Sequence, residues 1–184
     1  MPNIEAYGKF LHVQDVRDKP AQFYFYVMPK FGTMNLLEKF GHASYHFSAK
    51  AIFQIAYQLI DALQYVHRAD YVFCDLKLEN IIVEDDISGD DPENYRVHLV
   101  DFGFAQKYAD HKRTDTDEIK KFHIAESEVK TLRSNMFNAS LHILEFKTPS
   151  RRDDLIMLCY LILGLLNGGD LPGMTSEAFH LQDA

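Results

Sequence analysis

The chain has 184 residues, of which 47% are hydrophobic and 25% charged. These proportions are those of an ordinary folded protein and exclude a disordered or fibrous one, and the length suits a single domain. The formal net charge is −8, from 27 acidic and 19 basic residues, which argues against binding to the phosphate backbone of a nucleic acid.

Features of a secreted or membrane protein are not expected. The chain does not open on a cationic segment followed by an apolar run, so we predict no signal peptide. The longest apolar run, residues 155–166, is too short to cross a bilayer, and we expect a buried helix and no membrane insertion. Cys74 and Cys159 lie in apolar segments predicted to be buried, and two cysteines make no disulfide framework. We therefore expect a cytoplasmic protein, either free or within a cytoskeletal or other large complex.

The N-terminal part of the chain predicts a β-hairpin. Residues 4–16 and 22–28 are rich in β-branched and aromatic side chains, and the sequence Arg-Asp-Lys-Pro separates them at positions 17–20. β-Branched and aromatic runs on either side of such a turn sequence are typical of paired antiparallel strands.

Two helices are predicted next. Thr33 is of a type that caps helices and Gly41 of a type that ends them, which predicts a short helix reaching Phe40. Ser48 caps a longer predicted helix over residues 49–68, whose apolar side chains recur with helical spacing. The residues of this stripe are Ile52, Ile55, Ala56, Leu59, Leu63 and Val66.

The rest of the chain alternates between strand, loop and helix patterns. Residues 81–83 and 97–100 predict short apolar strands, and the acidic segment 85–92 between them is typical of a solvated loop. Residues 111–130 mix both charges with few apolar anchors, which predicts a mobile or partner-dependent loop. A final helix is predicted to begin near Arg152.

A group of polar residues in the middle of the chain indicates phosphoryl transfer. Asp75 and Asn80 are separated by four residues, and Asp101 begins an Asp-Phe-Gly sequence further on, which is the order and spacing of a protein kinase catalytic loop and metal-binding turn. In that scheme Asp75 orients or accepts the proton of a substrate hydroxyl, and Lys77 steadies the γ-phosphate. Asn80 and Asp101 hold Mg²⁺ against the nucleotide phosphates. Alone, Asp-Phe-Gly would indicate only a turn.

Longer segments carry a resemblance to the casein kinase I family and its vaccinia-related relatives. Residues 99–108, Leu-Val-Asp-Phe-Gly-Phe-Ala-Gln-Lys-Tyr, are similar to the metal-binding segment of that family, and residues 150–155, Ser-Arg-Arg-Asp-Asp-Leu, to the start of its central helix. The resemblance implies an α+β protein kinase fold, mainly the helical C-lobe with a remnant of the N-lobe sheet and hinge. Residues 1–32 would form that remnant hairpin and hinge, and residues 33–184 the C-lobe.

The resemblance also implies roles for residues outside the catalytic loop. Met28 and Phe31 lie at the ends of a segment that is similar to the gatekeeper and hinge, which contact the adenine of ATP. Asp154 would be a buried carboxylate that anchors the catalytic-loop backbone. A carboxylate at a helix start also serves as a cap, and the sequence leaves both roles for Asp154 open.

Several positions depart from the family pattern. No Gly-x-Gly sequence precedes Asp75, and Lys9 is better explained as a surface lysine on a strand than as the nucleotide-binding lysine. The usual His-Arg-Asp reads Phe73-Cys74-Asp75, and Phe137-Asn138 replaces the Arg-Tyr beside the substrate channel of the family. The second change argues against recognition of acidic or phosphorylated substrates.

These departures predict a catalytically impaired kinase homologue, a pseudokinase, that acts as a protein-binding or structural module of a larger assembly. A protein partner is expected to cover the predicted strands and the helix over 152–166, because apolar surface of that extent is normally buried. The alternative is part of an active Ser/Thr protein kinase that uses Mg-ATP. The retained Asp75, Lys77, Asn80 and Asp101 favour that alternative.

Overall fold

Helices and small antiparallel sheets make up an α+β fold. The computed structural model describes residues 4–12, 21–84, 95–114, 118–131 and 134–171. The strands in this part of the chain are β1 (Ala6–His12), β2 (Ala21–Val27), β3 (Met34–Asn35), β4 (Tyr71–Val72), β5 (Ile81–Val83), β6 (Val97–Leu99), β7 (Gln106–Lys107), β8 (Ala109–Arg113) and β9 (Ile119–His123). The helices are α1 (Leu36–His42), α2 (Ala49–Arg68), α3 (Leu141–Leu144) and α4 (Arg151–Leu166), with a 3₁₀ turn at Leu78–Asn80.

The predicted N-terminal hairpin is confirmed. β1 and β2 pair antiparallel, with Ala6 opposite Val27. The predicted turn at 17–20 lies outside the described residues. Aromatic side chains of this hairpin are largely exposed, with Tyr7 at 84% and Tyr24 at 77% of their surface in solvent. A two-stranded hairpin with so much exposed apolar surface is only marginally stable by itself.

The two predicted helix caps have different outcomes. The prediction of Thr33 as a cap is wrong, because α1 begins after Asn35 and extends past Gly41 to His42. The Asn35 side chain accepts the Glu38 N–H and Glu38 accepts the Asn35 N–H, both at 2.9 Å, a reciprocal capping box. Ser48 caps α2 as predicted, with its hydroxyl accepting the Ala51 N–H.

The core lies between α2 and α4. All six residues of the predicted α2 stripe are buried, and all but Ala56 belong to this core. α4 starts one residue before the predicted position and contributes Met157, Leu158, Leu161 and Leu165 to the same core, while its opposite side exposes Cys159. The expectation that both cysteines are buried therefore holds for Cys74 alone, because residue 159 faces outward from the helix. Within the described ranges, no helix has the length and apolarity that a membrane crossing needs.

A three-stranded sheet in the order β3-β5-β6 supports the middle of the chain. β5 and β6 lie where the sequence predicts them, except that β6 ends at Leu99. Gly32 approaches this sheet so closely that an added Cβ would lie 1.8 Å from the Val83 carbonyl oxygen. Only glycine fits that contact without a backbone shift, and it holds the segment after β2 against the sheet.

Part of the segment 111–130 is not the irregular loop that the sequence predicts. β8 and β9 pair antiparallel in this region, with Ala109 opposite His123. Asp70, at the end of α2, contacts Lys121 and lies 2.5 Å from His111, so that it touches both strands. The prediction is wrong for these strands, because the ion pairs of Asp70 join the hairpin to the domain in addition to the buried Ala109 at its base.

Candidate active site

Asp75 lies in the loop between β4 and β5 and is almost fully buried, with 2% of its surface exposed. Its Oδ2 atom accepts a hydrogen bond from Asn80 Nδ2 at 2.8 Å and lies 3.3 Å from Lys77 Nζ. Its Oδ1 atom is buried and has no hydrogen-bond partner among the described residues. A buried carboxylate oxygen without a partner is costly, and it is the natural acceptor for a hydroxyl group that enters the site.

The donor set around Asn80 and Asp101 fits a magnesium ion. Both hydrogen bonds of Asn80 Nδ2 go to Asp75, which leaves Asn80 Oδ1 as the ligand atom. Asp101 is exposed and has a positive φ of 60°, and its Oδ1 accepts the Gly103 N–H at 3.1 Å. The Val100 N–H donates to Asn80 O at 2.9 Å and ties the two segments together.

Carboxylate and amide oxygens are the hard ligands that Mg²⁺ prefers, and one or two of them with phosphate oxygens complete its usual site. No group of three or more His, Cys, Asp or Glu side chains in the described ranges is arranged to hold a metal. The remaining ligands of a metal at Asn80 and Asp101 would therefore come from a phosphorylated compound.

Asp154 connects the start of α4 to the catalytic loop. Its oxygens accept the N–H groups of Phe73 and Cys74, each at 2.8 Å, and one of them lies 2.7 Å from His67 Nε2. The capping box of α4 belongs to its neighbour Asp153, which accepts the Ser150 N–H at 2.7 Å. The two roles that the sequence left open for Asp154 are therefore divided between adjacent carboxylates.

Asp153 is held as an anion. It is 1% exposed, and burial alone would raise its pKa. Hydrogen bonds from the hydroxyl of Ser140, at 2.5 Å, and from the N–H and hydroxyl of Ser150 outweigh that effect, so the pKa of Asp153 lies below its ordinary value. The ionised carboxylate fixes the N-terminus of the helix that carries Asp154.

Phe73 and Cys74 fill their positions with apolar packing. The Phe73 ring is fully buried and meets Phe102 edge to face, with ring centroids 5.1 Å apart. Cys74 has a positive φ of 67°, and burial, with a smaller effect of Asp154, raises the pKa of its thiol well above the usual range. The thiol therefore stays protonated, and neither side chain brings a positive charge to the site.

A cavity of about 580 Å³ opens beside Asp101. Met28, Tyr26 and Tyr71 line it together with Asp101, so Met28 and Asp101 share one space. Phe31 is not among its lining residues and stacks on His98, with ring centroids 4.2 Å apart. This cavity therefore contains Met28 but not Phe31 of the two residues predicted to contact adenine.

The sequence does not predict the role of three residues that support the loop. His67 contacts Asp154, the Ser134 hydroxyl donates to Cys74 O at 2.7 Å, and Asn138 Nδ2 donates to Leu76 O at 3.1 Å. Each bond joins residues about 60 or more positions apart in the chain. Local patterns do not report such distant partners.

The buried aspartate, its asparagine and lysine, and the Asp-Phe-Gly turn on an α+β scaffold are the features of a protein kinase catalytic lobe. Residues 9–176 match the family model described as protein kinase domain. This chain belongs to that family, and the curated proteins to which it is similar include casein kinase I homologues.

Two curated relatives from Saccharomyces cerevisiae illustrate the similarity. Casein kinase I homolog 2 is 29% identical over 134 residues, which cover 73% of this chain and 23% of the yeast protein. Casein kinase I homolog 1 is 30% identical over 122 residues, which cover 66% of this chain and 21% of the yeast protein. The chain thus spans under a quarter of the length of these relatives.

Proposed function

We propose that this chain provides the catalytic loop of a Ser/Thr protein kinase that transfers the γ-phosphate of Mg-ATP to protein hydroxyl groups. The arrangement of Asp75 carries the proposal. Its carboxylate is buried and fixed by Asn80 and Lys77, yet one oxygen has no partner among the described residues. A purely structural aspartate would be expected to use both oxygens.

The residues divide the chemistry among themselves. Asp75 Oδ1 accepts the hydrogen bond of the substrate hydroxyl and orients it toward the phosphorus atom. Lys77 places a positive charge beside the Asp75 carboxylate. That charge would stabilise the negative charge of the transferred phosphoryl group. Asn80 Oδ1 and the carboxylate of Asp101 are the oxygens that would hold Mg²⁺, which neutralises phosphate charge when bound.

A catalytically impaired protein-binding module is the second candidate, and the apolar packing of Phe73 and Cys74 favours it. In the family these positions hold a histidine and an arginine, whereas here they carry no charge. The Asp75–Asn80–Lys77 cluster does not depend on those two side chains for any hydrogen bond of its own. We therefore place phosphoryl transfer first.

With either function, we propose that a protein partner covers the β1–β2 hairpin and α4. Tyr7 and Tyr24 of the hairpin are mostly exposed, and α4 exposes Leu155, Leu163 and Leu166 at 42–47% of their surface. Apolar groups arranged in patches of this kind are typical of interfaces.

Transfer of radiolabelled phosphate tests the leading proposal. The chain is incubated with Mg-ATP and two protein substrates of opposite charge, casein and histone, and the Asp75→Asn and Asp101→Asn variants are compared with it. Because removal of a positioned base costs about 10²–10⁴-fold in rate, Asp75→Asn should reduce transfer by at least that lower factor. Asp101→Asn removes a carboxylate that would hold Mg²⁺ and should likewise reduce transfer.

Asp61→Asn is the matched control. Asp61 is exposed on α2, and the same exchange there should leave transfer unchanged. Transfer that persists in Asp75→Asn would contradict the assignment of the base. Saturable Mg-ATP binding without any transfer would favour the impaired module.

A further inference from the structure

A cavity of about 560 Å³ lies between the start of α4 and the segment that follows β9. Arg151 and Arg152 line it from the helix, and Ile124 and Glu126 line it from the other segment. None of its described lining residues belongs to the catalytic loop, to the Asp-Phe-Gly turn or to the cavity beside Asp101. We name it the arginine cavity, and phosphoryl transfer does not use it.

The Arg151 guanidinium is held at the wall of the arginine cavity without an acidic partner. Its Cζ atom lies 4.9 Å from the centroid of the Tyr108 ring. That ring is itself fixed, because the Tyr108 hydroxyl donates to His67 O at 2.7 Å. A cation–π contact places a guanidinium without using its N–H donors. In the part of the chain that the structure describes, Arg151 forms no ion pair with a carboxylate.

The carboxylates near the arginine cavity are occupied by other groups. Glu126, the only acidic residue among the described lining residues, lies 3.6 Å from His142 Nε2. Asp153 lies 3.6 Å from Arg152, but it is buried and also accepts hydrogen bonds from two serine hydroxyls. Asp154 is buried and bonded to the catalytic loop. Because Arg152 keeps 59% of its side chain in solvent, both guanidinium groups can donate to a further anion.

A phosphate group is the anion that best fits two adjacent arginines. The planar fork of a guanidinium matches two phosphate oxygens, and a phosphorylated side chain carries about −1.5 to −2 charges at pH 7. His123 lines the arginine cavity as well, is exposed, and can add a further ring donor. The cationic side of the cavity therefore offers donors from three side chains.

The rest of the arginine cavity is apolar. Ile124, Pro149 and Leu155 contribute to its lining, and Leu155 is 47% exposed. A volume of about 560 Å³ is that of a site for a whole ligand and not for one ion. Leu155 also belongs to the exposed apolar surface of α4, so that the cavity continues the surface that a protein partner is proposed to cover.

We propose that the arginine cavity binds a phosphoserine or phosphothreonine of a protein partner, whose neighbouring apolar residue packs on Leu155. Arg151 and Arg152 bind the phosphate oxygens. The proposal takes from the proposed function only that a protein covers α4, and it stands whether or not the chain transfers phosphate.

Peptide binding tests this assignment. A fluorescently labelled peptide with one phosphoserine between two leucines is titrated with the whole chain at low salt, beside the same peptide with serine, and anisotropy gives both Kd values. The phosphopeptide should bind about tenfold or more tightly, because hydrogen bonds between charged groups contribute more than neutral ones. Arg151→Gln should remove most of that difference. Arg151→Lys should keep only part of it, since lysine retains the charge but not the fork.

Arg96→Gln is the matched control, because Arg96 is 70% exposed, pairs with Glu84 and does not line the arginine cavity. It should leave both Kd values unchanged, as should Lys77→Gln in the catalytic loop. Equal binding of the two peptides, no measurable binding of either, or a loss in Lys77→Gln as large as in Arg151→Gln would overturn the proposal. Inorganic phosphate that binds as tightly as the phosphopeptide would contradict a protein partner as the source. If Arg151→Gln fails to fold by circular dichroism, Arg152→Gln decides.

Discussion

The catalytic loop and the β1–β2 hairpin are both short segments of irregular or marginal structure, yet they are held in different ways. Backbone groups of the loop bond to side chains from distant parts of the chain, namely the buried Asp154 and the half-buried Ser134 and Asn138. The hairpin has its own ladder, but its aromatic side chains remain exposed. The geometry of the catalytic residues is therefore set by the helical core, whereas the hairpin adds little to stability.

The largest effect should come from the anchor of the loop. Asp154→Ala removes a carboxylate that is 1% exposed and leaves two buried N–H groups without acceptors. We expect the free energy of unfolding to fall by about 3–5 kcal/mol, as for the loss of one member of a buried polar network. Urea denaturation measures it. Asp110→Ala, at an exposed aspartate of β8, is the control and should change little; equal losses in both variants would refute the anchoring role.

The core and hairpin can be compared directly by two truncations. Leu59→Ala in α2 removes a side chain that is 1% exposed and should cost about 2–5 kcal/mol of unfolding free energy. Tyr24→Ala in β2 removes one that is 77% exposed and should change it by about 0.5 kcal/mol or less. Chemical denaturation of both variants measures the two losses of unfolding free energy. A loss at Tyr24 as large as that at Leu59 would show that the hairpin is part of the core.

A smaller effect is expected at the start of α4. Ser140→Ala removes the hydroxyl that donates to Asp153 at 2.5 Å and accepts the Ile143 N–H at the start of α3, which should cost about 1–2 kcal/mol at neutral pH. Because the pKa of Asp153 is lowered in the folded protein, its contribution is present above the ordinary value of about 3.9 and is lost as the pH falls through the lowered pKa.

In Ser140→Ala the pKa of Asp153 should rise toward its ordinary value, so acid should remove less stability, over a narrower pH range, than in the parent chain. Unfolding followed between pH 7 and pH 2 checks this shift. Identical acid profiles would mean that Ser140 does not hold Asp153 in its ionised form.

The smallest effect concerns the β8–β9 hairpin. Hydrogen bonds from Lys121 and then His111 lower the pKa of Asp70, and the bond to Asp70 raises the pKa of Lys121. The stabilisation from the Asp70–Lys121 pair is fully present above the ordinary Asp pKa and below the ordinary Lys pKa. It is lost as the pH falls through the lowered pKa of Asp70 or rises through the raised pKa of Lys121. In Lys121→Ala the pKa of Asp70 should move up toward its usual range, which carboxylate NMR titration detects. An unchanged Asp70 titration would show that Lys121 does not contact it in solution.

The parts of the fold that the sequence predicts are those encoded locally. Ser48 and the apolar stripe of α2 determine a helix without distant partners, and both were predictable. Asn35 and Glu38 form a capping box that is also visible in the sequence, but Thr33 is a favoured cap type as well, so α1 was predicted to begin too early.

The missed features depend on contacts between distant residues. The β8–β9 strands carry mostly charged side chains, and their attachment through Asp70 pairs residues about 40 or more positions apart, so composition alone indicated a loop. The same holds for the site. The spacing of Asp75, Asn80 and Asp101 identifies the chemistry, whereas the hydrogen bonds from Ser134 and Asn138 that hold the loop emerge only from the packing.

Calorimetric titration of the chain with Mg-ATP tests the central claim most directly, because Asn80 and Asp101 are proposed to hold the metal and its nucleotide. The account predicts saturable binding that requires Mg²⁺ and is lost in Asp101→Asn, with the Asp61→Asn control unaffected. No saturable binding, or binding that survives in Asp101→Asn, would contradict it.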